Sequence, residues 1–123
     1  MQPTFAIDVD TSRHIIHIVM AGFFAPEDIA RFRYARGLAL ERLTCGPNEH
    51  LTLIDIRGMQ IQSQETVASF SQLFQERLHA SKAVAFVVSR SLARLQAQRA
   101  AAGRNVAYFI DDVAAAERWL LEA

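Results

Sequence analysis

Cysteine, glycine and proline are all scarce in this chain, and each shortage removes a class of explanation. Cys45 is the one cysteine. A single thiol cannot close an internal disulfide or build a thiolate metal cage, and it fits a reducing compartment. The five glycines form neither a Gly-x-Gly-x-x-Gly turn nor a Walker loop, so the usual phosphate cradles are missing. No Gly-x-Ser-x-Gly elbow presents a nucleophile. Net charge is absent as well, because thirteen basic and thirteen acidic residues cancel. No overall field then draws the chain to nucleic acid or a membrane, and little repulsion holds copies of it apart. The N-terminus, MQPTFAIDVD, lacks the basic start and apolar run of a secretory signal. Apolar stretches fall far short of the ~20 residues that span a bilayer. The expectation is a cytoplasmic protein with no membrane span, metal or cofactor, and with no nucleic acid among its partners.

What remains is the composition of one ordinary folded domain. The chain has 123 residues, 51% of them hydrophobic and 21% charged, enough to bury a core and too few for two domains. Phe5, Ile7 and Val9 alternate with Ala6 and Asp8, which predicts a strand over Phe5–Val9. A polar turn, Asp10-Thr11-Ser12-Arg13, leads into a second strand over His14–Gly22, apolar on both faces. Ala25-Pro26-Glu27-Asp28 starts a helix, with proline in its first turn beside two acids. Ile29, Phe32, Ala39, Leu40 and Leu43 share one face of it, and Gly46-Pro47-Asn48 ends it. Leu51–Ile56 and Ala83–Val88 have the length and composition of buried strands. Between them Ser63 caps a helix whose apolar face holds Val67, Phe70, Phe74 and Leu78. A third helix is expected from about Ser91 to Ala102, stopping at Gly103, then a strand over Val106–Ile110. Asp111 or Asp112 caps the last helix. The order β-β-α-β-α-β-α-β-α predicts an α/β fold: a single mixed, mostly parallel sheet with helices packed on it.

Little in this pattern points to catalysis. His14 and His17 lie three apart on a strand and face opposite sides, so they cannot share a metal. His50 and His79 read as surface or loop histidines, and Cys45 as a small apolar thiol at a helix end. The charge distribution says more. Arg77, Lys82, Arg90, Arg94, Arg99 and Arg104 fall in a window, Arg77 to Ile110, that holds no acid. Arg90 and Arg94 are four apart and share a helix face. They are candidates for holding an anionic headgroup or a partner's acidic patch, or else they form a solvated face. Arg36 falls on the apolar stripe of the first helix, where it either snorkels at the core's edge or pairs with a carboxylate or a ligand at a dimer surface. Phe23 and Phe24 are consecutive, so both cannot point inward, and one of them belongs to a pocket mouth or an interface.

Three segments, read in this order of elements, resemble the SpoIIAA-like family of bacterial proteins: Gly22 to Asp28 (GFFAPED), Leu51 to Gly58 (LTLIDIRG) and Ala116 to Leu120 (AERWL). That family is related to the STAS domains of anti-sigma-factor antagonists and is often grouped with CRAL-TRIO-type lipid carriers. The resemblance implies the fold above for the whole chain. In STAS antagonists a serine at the start of the helix after the third strand is phosphorylated by a partner kinase, and its charge repels the partner. The matching region here runs from Asp55 to Ser63, with Ser63-Gln64-Glu65 where the antagonists carry aspartate, serine and then small residues. Ser63, which sits about one position early and lacks the preceding aspartate, is the phosphoacceptor that the resemblance implies, with Arg57, Gln62 and Glu65 in the candidate partner surface. The function expected is a non-enzymatic binding module for a protein partner, homodimerisation being compatible with it. The alternative is a carrier or sensor of a small apolar, lipid-like ligand, its tail among the phenylalanines and its acidic head on Arg90 and Arg94.

Overall fold

The computed structural model describes residues 2–46, 48–74, 81–90 and 105–123. Five strands form one sheet in the order β1-β2-β3-β4-β5. They are β1 (Thr4–Asp10), β2 (Ile15–Gly22), β3 (Leu51–Met59), β4 (Ala83–Val88) and β5 (Val106–Ile110). β1 is antiparallel to β2, and the remaining neighbours are parallel. Three helices lie among the described residues: α1 (Pro26–Glu41), α2 (Gln64–Phe74) and α3 (Val113–Leu121). The helix expected over 91–102 and its Arg94 lie outside the described residues, as does Leu78.

Side chains alternate along each strand, so the sheet feeds two cores. On one face Ile16, Ile18, Met20, Ile54, Ile56, Phe86 and Val88 meet Ile29 and Phe32 of α1 and Phe70 and Leu73 of α2. On the other face Ile15, Leu51, Leu53, Ala83, Ala85 and Val87 meet Ala116 and Leu120 of α3. The small Ala83 and Ala85 leave room for α3 to lie close over the centre of the sheet. Covering both faces explains why the three inner strands, β2 to β4, read as near-continuous apolar runs.

Several boundaries differ from the sequence expectation. His14 has a positive φ of 56° and belongs to the turn, so β2 begins at Ile15. Asp10 organises that turn: its Oδ1 accepts from the amides of Ser12 and Arg13, both at 3.1 Å, and Arg13 Nε donates to Oδ2 at 2.6 Å. The bond from Arg13, with those from Ser12, holds the Asp10 carboxyl well below the usual carboxylate range. α1 ends at Glu41 rather than at Gly46, because Arg42 and Leu43 donate to Ala39 and Leu40 and tighten its last turn. At its other end the Asp28 carboxylate accepts from the Ala25 amide at 2.8 Å and pairs with Arg31. The Ala25 amide first, then Arg31, lowers the Asp28 pKa. Of the two aspartates before α3, Asp112 is the cap, accepting from Ala115 N–H at 2.9 Å. Asp111 takes the left-handed bend before it, with φ 52°.

Candidate functional site

The carboxyl ends of parallel strands are where α/β sheets place their ligands and partners, and here the ends of β2 and β3 are locked together. Gly22 closes β2 at φ +93°, and a Cβ there would lie 2.4 Å from the Gln2 carbonyl oxygen. Only glycine fits. Gly58, on β3, packs so tightly against Ala21 that an added Cβ would come within 2.9 Å of the alanine's own. The β2–β3 register shifts between Val19 and Ala21, which lets β3 run on to Met59. Arg57 is therefore a strand residue, not the start of a loop as its sequence suggested.

Beyond Gly22 the two consecutive phenylalanines separate. Phe24 is fully buried, while Phe23 is 42% exposed. Phe24 is thus a core residue rather than a pocket or interface residue. Its ring packs edge-on to Phe70 at 5.8 Å, and Phe70 in turn meets Phe32 at 6.4 Å.

Gln62 ties this segment to the β3–α2 loop. Its Oε1 accepts from the Phe24 amide at 2.8 Å, and its Nε2 donates to the Gly22 carbonyl at 2.9 Å and to Gln60 O. The Gln60 amide donates to the same Gly22 carbonyl at 3.1 Å. Gln62 is only 7% exposed, which corrects its assignment to a partner surface: it is an internal clamp. The residue beside it, Ile61, is 51% exposed. The clamp bonds the backbone on both sides of Phe23 to the residue after Ile61.

Ser63 and Glu65 are exposed. Ser63 Oγ accepts from the Thr66 amide at 3.1 Å, the N-cap bond expected from the sequence. The same hydroxyl donates to Thr66 Oγ1, which donates to the Phe24 carbonyl at 2.9 Å. The start of α2 is thereby bonded to the residue that anchors the β2–α1 connection.

Asp55 and Arg57 form an ion pair one turn of the pleat away. Arg57 Nη2 donates to Asp55 Oδ2 at 2.7 Å, and its Nε and amide donate to Oδ1 at 3.0 and 3.1 Å. Burial opposes ionisation of Asp55. The Arg57 bonds and the charges of Arg57 and His17 outweigh it and hold the carboxyl below its ordinary value. Arg57 is held protonated, first by its bonds to Asp55, and Asp111 adds to the same effect. Asp55 carried a signal that the sequence reading passed over: it is the one charge inside the apolar run LTLIDI.

No family model matches the chain, and no curated protein does. Its structure is similar to that of an uncharacterized protein of the DUF3478 family, with a SpoIIAA-like fold, from Shewanella loihica PV-4. The two share 22% sequence identity at a TM-score of 0.73, over 98% of this chain and 96% of that one. The fold is SpoIIAA-like. Within it Ser63 immediately precedes and caps α2, the helix that follows the third strand.

The other candidate residues lie apart from this edge. Arg90 is exposed just beyond β4, and its intended companion Arg94 lies outside the described residues. Arg36 is 8% exposed, about 15 Å along α1 from its start. His50 is 4% exposed, so it is not a surface histidine. It sits before β3 at the opposite end of the sheet, where its Nε2 lies 3.0 Å from Ser81 Oγ, which also pairs with Thr52. Among the described residues no group of three or more His, Cys, Asp or Glu side chains is placed to hold a metal. No described helix is long and apolar enough to cross a membrane.

Proposed function

We propose that this SpoIIAA-like domain is a non-enzymatic, STAS-type binding module that docks a protein partner on the edge formed by Phe23, Ile61, Ser63 and Glu65. The observation that carries the reading is the pair of exposed apolar side chains, Phe23 and Ile61, fixed beside a capped helix start by the buried Gln62 clamp. Clustered exposed apolar groups with a polar rim are typical of protein contact sites. A phosphate on Ser63 would lie at the α2 N-terminus, where the exposed amides favour negative charge. It would alter the rim while leaving the helix intact. The phenylalanines Phe5, Phe24, Phe32 and Phe70 pack on one another, which favours a filled core over a lipid-lined one.

Photo-crosslinking tests the proposal. With a photoreactive amino acid at position 23 or 61, the domain should label one predominant protein in cells of its own organism. The same probe at Thr11, in the exposed β1–β2 turn at the opposite end of the hairpin, should not. Ser63→Asp should reduce that crosslink several-fold, and an undiminished crosslink would count against the rim assignment. If native mass spectrometry instead finds a small molecule bound to the purified domain and no crosslink forms, the carrier reading replaces this one.

A further inference from the structure

The outer side of α1 is unlike an ordinary solvated helix face. Its core side carries the buried Asp28 and Arg36 beside Ile29, Phe32 and Ala39, and its outer side is not wholly polar. Facing outward, Tyr34 is 71% and Leu38 48% exposed. Ala30, Arg33 and Glu41 are exposed beside them. Gly37 interrupts the ridge they form, and a Cβ added there would meet nothing within 4 Å among the described residues. A glycine in mid-helix costs about 1 kcal/mol relative to alanine, and packing among the described residues does not account for it. The notch at Gly37 forms part of an open cleft of ≈ 620 Å³ that runs along α1 from Ala30 to Glu41.

We infer that this face binds a second copy of the chain through an antiparallel α1–α1 contact. The face is self-complementary. Crossing two antiparallel copies seats Tyr34 of each over Gly37 of the other, a ring filling the gap left by a missing side chain. The same crossing brings Arg33 within a helical turn of the partner copy's Glu41, and the two-fold axis repeats that pairing at the other end. Leu38 is covered alongside. A bare glycine lets helices approach to the short end of the usual 8–10 Å range. The chain's zero net charge opposes such association little. One helix face, about 24 Å long, makes a small interface, so the dimer is reversible and depends on concentration. The inference goes beyond the proposed partner edge and does not rest on it, because Phe23 and Ile61 lie off the N-terminal end of α1.

Sedimentation equilibrium on the purified full chain tests it. The unaltered chain should show a reversible monomer–dimer equilibrium. Arg33→Glu alone or Glu41→Arg alone places like charges together twice and should weaken association about tenfold. The double variant Arg33→Glu with Glu41→Arg should restore it. Gly37→Gln should abolish the dimer, and because glutamine favours helix over glycine the monomer should melt no lower than before. That separates a blocked contact from a misfolded chain. A chain that remains monomeric at every accessible concentration overturns the inference. So does a dimer that survives Gly37→Gln, or one that the double exchange fails to restore.

Discussion

Replacing Gln62 with leucine keeps most of a buried side chain's volume and removes the hydrogen bonds it makes to Phe24, Gly22 and Gln60. The three partners do not suffer equally. The Gly22 carbonyl still accepts from the Gln60 amide, and Gln60 is exposed, so its carbonyl can turn to water. The Phe24 amide has no such recourse, since its residue is fully buried. An orphaned buried donor costs about 1–3 kcal/mol, and each lost bond adds up to about 1 kcal/mol. Leucine's greater apolarity returns part of this. The expected loss is about 2–3 kcal/mol, which for a domain of this size lowers the melting temperature by roughly 6–12 °C. Urea titration followed by circular dichroism reads it as a lower midpoint at unchanged slope. Ile61→Ser, one residue away and exposed, should stay within about 0.5 kcal/mol of the parent. If Gln62→Leu falls in that same narrow range, the clamp does not hold the loops and the reasoning fails.

Ser63→Ala should cost about 1 kcal/mol through loss of the cap, whereas Ser63→Asp, itself a good cap, should cost little. A melting series on the two variants would then show that any loss of crosslinking in Ser63→Asp is not instability. Asp10, Asp28 and Asp55 all have lowered folded pKa values. Their contribution is therefore present above the unfolded carboxylate range near 4 and is lost as pH falls through the folded values. The melting temperature should fall steeply below about pH 4, and a flat profile down to pH 2 would contradict these assignments. Arg57→Met leaves the buried Asp55 without its arginine partner and should cost about 1–3 kcal/mol at neutral pH. Burial is then opposed only by the residue-57 amide and the charge of His17, so the Asp55 pKa rises and the deficit should shrink at acid pH, where the neutral carboxyl predominates. A deficit independent of pH would mean that the arginine stem, not its charge, matters.

The sequence made some of this site legible and hid the rest for identifiable reasons. The Ser63 cap could be read because its partner, Thr66, is three residues away, and N-cap chemistry is local. Gln62 could not, since the groups it binds lie 38 and 40 residues back, at Phe24 and Gly22. A glutamine in a polar loop looks solvated until the fold brings those groups to it. His50 was misread for the same cause, its partner Ser81 being 31 residues on. The phenylalanine pair lay between these cases: alternation requires one ring to leave the core, but the positive φ at Gly22 and the bond to the Phe24 amide decide that it is Phe23. Strand β3 was read short because an arginine and a glycine follow its apolar run, yet Arg57 folds back on Asp55 and Gly58 fits against Ala21. The order of elements survived all this because hydrophobic periodicity is set by the whole sheet and not by any single contact.

The clamp also bears on how tightly a partner can hold the Phe23–Ile61 edge. A flexible loop must surrender its conformational entropy when it binds, and that loss is subtracted from affinity. Here the Phe24 amide is held by Gln62 and its carbonyl by Thr66, both from the β3–α2 side. The ordering of both connections is thus completed when the domain folds. If the edge docks the proposed partner, it does so preorganised, and affinity gained this way should appear mainly as slow dissociation. Loosening the clamp should then shorten the lifetime of the complex even though Gln62 itself touches nothing outside the domain.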